Sequence, residues 1–391
     1  MKDLYREARE MFEEIKAHRR CLHEKAEAGF DLKQTKAYVT KALADMGVQW
    51  RACGEGIVCT LGSGDSAFLL RADMDALPVR EGETFPSRNG CMHVCGHDMH
   101  TAMLLGAVRL LKSREKELSG CVKCMFQPAE ETLEGARNMI ENGVLQEPKV
   151  CAGAMIHVMT GVSVETGRVI VAAPGVSAPA AAMFEIWVQG KGGHGASPEG
   201  CIDPIYAAAQ MIQAFSVIQT KELSAQSGAM LTIGAMRAGD APNVIADHAV
   251  LRGSLRAYSE KERDYMLSRV REIADLTAKM HGATAKVKEM SSVPTLINDA
   301  AMVDFARQTL KKVLGEKGVM PASEMGGARS SGSEDFAYIS HEVPTVMLAL
   351  AAGHPRDGYL HGLHHPQTRF DENALPFGAA ALAGMALAYS K

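Results

Sequence analysis

Side chains that bind metals crowd one short stretch of the sequence. Three histidines, a cysteine and an aspartate fall within the eight residues His93-Val94-Cys95-Gly96-His97-Asp98-Met99-His100. The run Thr101 to Leu111 follows directly, and because it is apolar nearly all round it predicts a buried helix. Asp98 is placed to cap the start of that helix, which would put Cys95 and His97 in the preceding turn. Thiolate and imidazole suit zinc and its first-row neighbours, although a buried cysteine beside surface histidines is the alternative.

Carboxylates follow two of the predicted strands. The strand Ala67 to Asp73 leads into Asp75, and the strand Cys121 to Phe126 leads into the adjacent pair Glu130 and Glu131. Sites in open α/β sheets form at the carboxyl ends of strands. Adjacent side chains in extended backbone point apart, so one glutamate could bind metal while the other handles a proton. The alternatives are an aspartate turn and a solvated loop, and Asp73 itself has no role on this reasoning.

Histidines in two further places could join such a centre. His157 lies in the apolar stretch Ala154 to Met159, where a hydrogen-bonded core histidine is the usual explanation. His361, His364 and His365 lie close together just before a proline, which predicts a loop. Several strand ends that each carry acidic or metal-type residues are harder to dismiss together than singly.

The middle of the chain has a different pattern from its two ends. Strand-like and helix-like stretches there form an α+β pattern: Met183–Val188, Pro204–Gln219, Met230–Met236, His248–Ala257 and Glu260–His281. The flanking segments follow an α/β pattern. We therefore expect an α/β catalytic domain formed by residues 1–180 and 293–391, with an α+β domain, residues 181–292, inserted into it.

A glycine-rich loop in this insert carries a histidine. Gly190-Lys191-Gly192-Gly193-His194-Gly195 matches GxGxxG and follows a strand, which leaves a zinc-dependent dehydrogenase open as an alternative. Pro198 interrupts the helix that a dinucleotide site needs directly afterwards. A flexible loop that presents His194 fits better.

Composition limits the class of protein. The chain has 391 residues, of which 47% are hydrophobic and 23% charged, as is ordinary for a soluble protein of two domains. Its net charge of -4 gives no reason to expect nucleic acid or an anionic membrane as partner. Nine scattered cysteines indicate reduced thiols, and no signal-peptide core opens the sequence, so we expect a cytoplasmic protein.

Seven motifs in order resemble a known family over nearly the whole chain. They are Arg71-Ala72-Asp73-Met74-Asp75-Ala76-Leu77-Pro78, Met92-His93-Val94-Cys95-Gly96-His97-Asp98, Phe126-Gln127-Pro128-Ala129-Glu130-Glu131, Gly192-Gly193-His194-Gly195-Ala196, Pro242-Asn243-Val244-Ile245, Gly332-Ser333-Glu334-Asp335-Phe336 and Leu363-His364-His365-Pro366. The chain resembles the two-metal aminoacylase and carboxypeptidase family. Within it, the chain is similar to the amidohydrolase branch of hippurate hydrolases, N-acyl-amino-acid amidohydrolases and auxin-conjugate hydrolases.

The resemblance implies a metallopeptidase-type catalytic domain, with a mixed sheet flanked by helices, and an inserted lid and dimerisation domain. It implies two divalent ions (Zn, Mn, Co or Ni), and their ligands would be Cys95, His97, Glu131, His157 and His364. A metal-activated water would cleave the amide bond of an N-acyl amino acid or small dipeptide.

The resemblance also implies roles for residues that do not bind the metals. Glu130 takes the place of the general base, and His194 that of the histidine which reaches an active site, in many members that of the partner subunit. Asp75 and Asp98 are candidates to orient the ligands. A homodimer through the lid domain is expected.

Substrate recognition depends on less distinctive residues. A hydrolase that releases an amino acid needs donors for the free carboxylate, and Asn243 can supply one from its amide. Arg237 and Arg256 are both candidates for the charged partner. Two departures from the branch, Glu199 after the proline of the lid motif and the segment 353–362, leave the acyl group open. A dipeptidase, a carboxypeptidase or an N-acetyl-diaminopimelate-type deacetylase of the same family is an alternative, as is a catalytically silent binding protein.

Overall fold

The computed structural model describes residues 3–79, 89–326 and 329–389. The chain divides into two compact units. The larger unit comprises Met1–Ser177, Ile297–Arg329 and Asp335–Lys391, and the smaller comprises Ala178–Leu296 with Ser330–Glu334. The expected insert, residues 181–292, falls within the smaller unit.

Ten helices are found among the described residues: α1 Leu4–Glu10, α2 Phe12–Glu24, α3 Lys33–Asp45, α4 His97–Ser113, α5 Gly135–Glu141, α6 Pro204–Val217, α7 Glu260–Met280, α8 Ala300–Leu314, α9 Ala337–Glu342 and α10 Leu375–Tyr389. None of the helices in these ranges has the length and apolar character that crossing a membrane requires.

Sixteen strands accompany the helices in the same described ranges: β1 Trp50–Cys53, β2 Gly56–Leu61, β3 Ser66–Asp73, β4 Cys121–Gln127, β5 Lys149–Met159, β6 Val169–Val171, β7 Gly175–Ala178, β8 Ala180–Gln189, β9 Gly193–His194, β10 Met230–Ala238, β11 Val244–Ile245, β12 His248–Ala257, β13 Thr284–Val293, β14 Leu296–Asn298, β15 Val319–Pro321 and β16 Thr345–Ala351.

The larger unit is built on a mixed sheet of eight strands in the order β1-β2-β4-β3-β5-β16-β6-β15. Its four central strands, β4, β3, β5 and β16, run parallel to one another. Strands β1 and β2 are antiparallel additions at one side. Because the carboxyl ends of parallel strands meet at one edge, the residues that follow β3, β4 and β5 are brought together there.

Helix α4, which begins at His97, is held in the core of the larger unit. All but three of its residues are buried, as expected for a helix that is apolar nearly all round. It packs against α2 and α10. Two glycines allow a close approach: a Cβ on Gly106 would lie 3.1 Å from Ala379, and one on Gly378 would lie 1.9 Å from the Met103 sulfur. The position of His97 is therefore fixed by the packing of a whole helix.

The smaller unit has an antiparallel sheet in the order β10-β12-β8-β13, with α6 and α7 packed against it. Strand β8 alternates as a half-buried strand should, with Phe184 and Ile186 in the core and Met183 and Trp187 exposed. Strands β9 and β11 form a separate two-stranded sheet, in which His194 pairs with Val244.

Two elements differ from the sequence prediction. The amphipathic pattern at the start of the sequence predicts one helix over about residues 2–25. The structure instead divides this segment at Met11 into α1 and α2. The glycine-rich stretch leads into the short strand β9 and a 3₁₀ turn at Pro198–Gly200 before α6 begins. A Cβ on Gly192 would lie 2.8 Å from the Ile245 carbonyl oxygen. This glycine therefore permits the close packing of β11.

One buried lysine binds a neighbouring loop to the eight-stranded sheet. The side chain of Lys123 in β4 is fully buried, and its amine donates to the carbonyl oxygens of Val144, Gln146 and Pro148 at 2.9, 2.6 and 2.8 Å. Burial lowers the pKa of Lys123 to about 8. The three bonds tie the loop after α5 to the sheet.

We expect Lys123→Met to destabilise the protein by about 2–4 kcal/mol, because three buried carbonyl oxygens lose their donor. Urea unfolding would measure the loss. Lys112→Met is the matched control, because Lys112 is partly exposed and pairs with Glu115 at the surface, an interaction worth about 0–1 kcal/mol. Equal urea midpoints for Lys123→Met and Lys112→Met would show that the three hydrogen bonds of Lys123 contribute little to stability.

Candidate metal centre

The carboxyl ends of β3, β4 and β5 and the start of α4 meet at one site in the larger unit. Gly96 makes the turn into α4 possible, because it has φ 88° and a Cβ there would lie 2.3 Å from a methyl group of Val158. Only glycine adopts this left-handed conformation without strain. Cys95 and His97 are thus brought against the end of β5, which carries His157.

Five side chains predicted as metal ligands converge around the Cys95 thiol. Its sulfur lies 3.4 Å from Nε2 of His157 and 3.3 Å from Nε2 of His364. Oε1 of Glu131 lies 3.6 Å from the same His364 nitrogen and 3.9 Å from Nε2 of His97. The donor atoms fall into two groups that share Cys95: Cys95, His97 and His157, and Cys95, Glu131 and His364.

The hydrogen bonds of two histidines fix which ring nitrogen faces this cluster. Nδ1 of His97 lies 2.8 Å from the Asp75 carbonyl oxygen, and Nδ1 of His157 lies 2.8 Å from that of Val158. A carbonyl can only accept, so each Nδ1 carries hydrogen, and Nε2 is the nitrogen that can bind a cation in the neutral ring. Among the described residues, the buried Nε2 of His97 has no hydrogen-bond partner.

These donors fit a first-row divalent metal ion. The set combines one thiol, three imidazoles and a carboxylate, which are the ligands of zinc and its neighbours. An inward-facing imidazole lone pair, buried without a partner, is the atom that a cation would satisfy. Burial raises the pKa of the Cys95 thiol, so an ion that binds the sulfur must displace its proton.

The pKa values of His157 and His97 are shifted in opposite directions. Burial, reinforced by the neighbouring His100, lowers the pKa of His157 to about 3 and keeps its ring neutral. Burial acts the same way on His97, but the Asp73 carboxylate outweighs it and raises the His97 pKa well above its ordinary value. A cation at this site would therefore compete with a proton for Nε2 of His97.

The Glu130–Glu131 pair lies in a tight turn rather than in extended backbone. Ala129 before it has φ 54°, and both glutamate side chains approach Nε2 of His97, each at 3.9 Å. The prediction that adjacent carboxylates point apart is therefore wrong. The Asp75 carboxylate holds the turn by accepting from the Glu130 and Glu131 backbone N–H groups at 3.0 and 3.2 Å. Asp75 thus supports His97 and both glutamates.

Sequence reasoning missed the contribution of His100 and Asp73. Nδ1 of His100 donates to the Asp73 carboxylate at 2.6 Å, and its Nε2 accepts from the Val158 backbone N–H at 2.8 Å. The available signal was the spacing of His97 and His100, which places them on one face of a helix.

Asp98 is buried behind the cluster. The prediction that it caps α4 is wrong, because the N-cap residue is Gly96. Its carboxylate instead accepts from Nε of Arg19 at 2.9 Å and from Nδ1 of His23 at 2.8 Å. Burial alone would raise the pKa of Asp98, but Arg19 and His23 hold it well below the ordinary value. The ion pair joins α2 to the start of α4.

The remaining predicted residues all belong to the smaller unit. His194 and Asn243 are both exposed, and the Gly195 backbone N–H donates to the Asn243 carbonyl oxygen at 2.9 Å. Arg256 is half-buried, and its guanidinium donates to the Ser333 hydroxyl at 2.7 Å. Burial lowers the pKa of Arg256, whereas Arg237 is exposed.

Comparison with known proteins identifies relatives along the whole chain. The family model "Peptidase family M20/M25/M40" matches residues 69–388. The chain is 32% identical to an IAA-amino acid hydrolase, ILR1-like 2, of Arabidopsis thaliana, over 98% of this chain and 86% of that protein. It is 33% identical to the N-acetyl-L-cysteine deacetylase of Bacillus subtilis, over 91% and 83% of the two chains.

Solved structures share the fold. A crystal structure from methicillin resistant Staphylococcus aureus superposes with a TM-score of 0.88 at 30% identity, covering 100% of both chains. The YXEP protein of Bacillus subtilis, described as a dinuclear metal binding peptidase, superposes with a TM-score of 0.76 at 28% identity, covering 98% and 99%. The predicted mixed sheet flanked by helices is confirmed.

Replacing Asp98 should weaken the fold in a pH-dependent way. A carboxyl whose folded-state pKa is depressed adds stability that is fully present above its unfolded value of about 4. That stability is lost as the pH falls toward the folded value. In metal-free protein we expect Asp98→Asn to cost about 3–5 kcal/mol at neutral pH, with the gap narrowing below about pH 4.

Urea unfolding at several pH values measures that gap. Asp45→Asn is the control, because the Asp45–Lys41 pair is exposed and should contribute less than about 1 kcal/mol. If the difference in free energy of unfolding between the unmodified protein and Asp98→Asn increased as the pH fell, the ion pair of Asp98 with Arg19 and His23 would not be the source of the stability.

Proposed function

We propose that this chain, which belongs to peptidase family M20/M25/M40, hydrolyses the amide bond of N-acyl amino acids that carry a free carboxylate. Metal-dependent hydrolysis of amide bonds is the activity of the protein. The observation that carries the proposal is the shared position of Cys95 between two groups of donor atoms, with Glu130 beside them. The relatives named as an IAA-amino acid hydrolase and an N-acetyl-L-cysteine deacetylase support this class of substrate.

Two divalent ions would be held by the five converging side chains. Cys95, His97 and His157 would hold one ion, and Cys95, Glu131 and His364 would hold the other. This assignment is supported by the distance of 3.6 Å between Glu131 and His364 and by the contacts of both His157 and His364 with the sulfur. Zn, Mn, Co and Ni all suit such a donor set.

Glu130 would act as the general base. When bound, a divalent ion lowers the pKa of a coordinated water toward about 7. The Glu130 carboxylate lies 3.9 Å from the His97 nitrogen that would face the ion, so it is close enough to take a proton from that water. It would then deliver the proton to the leaving nitrogen. Asp75 contributes by fixing the turn that aims Glu130.

His194 would stabilise the oxyanion. Its Nδ1 accepts from the Ala196 backbone N–H at 3.1 Å, so Nε2 carries the hydrogen. An exposed Nε2–H on a short strand is a donor suited to a developing negative charge.

The adjacent glutamates are expected to lose different properties on mutation. Glu130→Gln should lose most of kcat and keep its metal, because the amide cannot accept a proton. Glu131→Gln should lose metal as well, because an amide is a poorer ligand than a carboxylate. Chelation should abolish hydrolysis, and Zn, Mn, Co or Ni should restore it. Elemental analysis and single-turnover rates distinguish the variants, and full activity in metal-stripped protein would contradict this mechanism.

The substrate carboxylate needs fixed donors and a positive charge. Of the two candidate arginines, Arg256 is the better, because it is half-buried and pre-oriented by Ser333, while Arg237 is exposed. A partly desolvated guanidinium gains most from an incoming anion. Asn243 lies on the exposed loop next to His194 and could donate from its amide.

Amidation or esterification of the carboxylate should reduce kcat/KM at least ~100-fold, the scale of losing a charge-assisted contact of roughly 2–3 kcal/mol. Asn243→Ala and Arg256→Lys should reduce the ratio of kcat/KM between the free acid and its amide or ester, because each variant recognises the carboxylate less well. Arg237→Lys is the matched control and should leave it unchanged. If the methyl ester of a good substrate is cleaved at its amide as fast as the free acid, the proposed substrate class is wrong. Small dipeptides, assayed in parallel, test the dipeptidase alternative.

We also place the protein in the cytoplasm as a homodimer. The nine cysteines, all of which lie in the described ranges, form no disulfide bonds, which suits a reducing compartment. The smaller unit exposes large apolar side chains on its helices, among them Tyr206, Leu276 and Met280, which would suit a contact with a second copy.

If His194 serves the active site of the other subunit, inactive variants should complement one another. Mixed His194→Ala and Glu130→Gln chains would contain one intact combination per heterodimer, so part of the activity should return. Light scattering and differently tagged chains would establish dimerisation and exchange. Absence of recovery despite proven exchange would rule out sharing of His194 between subunits.

A further inference from the structure

A second buried cluster lies beside the proposed metal ligands and is not used by the mechanism. At its centre is Arg71 in β3, whose side chain is fully buried. Its guanidinium donates to Asp73 Oδ2 at 2.6 Å, to Asp335 Oδ1 at 2.9 Å and to Gln127 Oε1 at 2.9 Å. A buried arginine shared by two carboxylates is costly to desolvate, so its geometry must be well satisfied to persist.

Asp335 extends the cluster to the turn that carries the glutamates. Its carboxylate accepts from the Gln127 amide at 2.7 and 2.9 Å and from the Ala136 backbone N–H at 2.8 Å. Gln127 is the last residue of β4 and Ala136 lies in the first turn of α5, so the two contacts bracket the turn that holds Glu130 and Glu131.

His100 extends the cluster in the opposite direction. It donates to Asp73, accepts from the Val158 backbone N–H, and packs its ring edge-on against His157 with centroids 4.6 Å apart. Asp73 Oδ2 also lies 3.7 Å from Nε2 of His97. The contacts that run from Asp335 through Arg71 and Asp73 to His100 therefore reach both His97 and His157.

We infer that Arg71, Asp73, His100 and Asp335 act as one set of positioning residues, which fixes the orientation of the metal-binding histidines. The inference rests on the ligand assignment of the proposed function. Each member acts through a neighbour: Asp73 sets the ring of His100, His100 sets the backbone after His157, and Asp335 sets the guanidinium that holds Asp73. Partners of this kind typically change metal affinity 10–100-fold when they are removed.

Three variants separate positioning from simple support of the fold. Asp335→Asn keeps the shape and removes the charge that pairs with Arg71. His100→Ala removes both hydrogen bonds of the imidazole, whereas His100→Gln restores an oxygen that can accept from Val158. Lys123→Met is the control, because it breaks an equally buried set of bonds in the same sheet without contact with the proposed ligands.

The readouts are the Kd for Co(II), measured by competition with a chelator, the visible spectrum of the Co(II) protein, and the urea midpoint of the metal-free chain. We expect Asp335→Asn and His100→Ala to bind Co(II) roughly 10–100-fold more weakly, with altered spectra. His100→Gln should recover part of the affinity. Lys123→Met should lower the midpoint yet bind Co(II) as the unmodified protein does.

Unchanged Co(II) affinity and spectrum in either Asp335→Asn or His100→Ala would overturn the inference, whatever happens to the urea midpoint. If Asp335→Asn does not fold, the comparison of His100→Ala with His100→Gln decides, and equal affinity of these two would overturn it. No substrate enters these measurements. A failure to hydrolyse N-acyl amino acids would therefore contradict the proposed function and leave this comparison intact.

Discussion

The structure depends on keeping a thiol, three imidazoles and a carboxylate together, with Cys95 and His97 buried and the His364 side chain 54% exposed. Burial penalises every charged form, and the effect is visible in the raised pKa of Cys95 and the pKa of about 3 for His157. Such a cluster persists only when the remaining polar atoms of each ligand are satisfied. Backbone carbonyls meet this need for His97 and His157, and they leave Nε2 of each ring turned inward.

That requirement explains why the surrounding elements are so closely packed. Helix α4 is buried nearly all round, and its first turn is fixed by Gly96, whose missing Cβ admits Val158. Behind the helix start, Asp98 is held by Arg19 and His23. Small displacements of these side chains would alter the geometry of the cluster, so the contacts that stabilise this part of the fold also help to set the geometry of the site.

The sequence predicted a set of side chains that the structure brings together, and it predicted their local geometry less well. The residue pattern alone indicates Cys95 and His97 as metal-type side chains, whereas His157 joins the predicted set only through the family resemblance. The helices and strands follow from periodicity. Asp98 was misread as a cap because its residue type is typical of caps, while the choice of Gly96 depends on a contact with Val158. The turn at Ala129 and the bond from His100 to Asp73, 27 residues away in sequence, also depend on tertiary packing.

The two units hold their candidate functional side chains in different ways. In the larger one, precision comes from packing, and a change of residue is felt throughout the core. In the smaller one, His194 lies on the two-residue strand β9 and Asn243 in the turn before β11. Exposed side chains there can change without a cost in buried contacts. Arg256 is intermediate, half-buried and held by one hydroxyl. A family that keeps one reaction and alters its substrates would therefore vary the exposed loops and conserve the buried network.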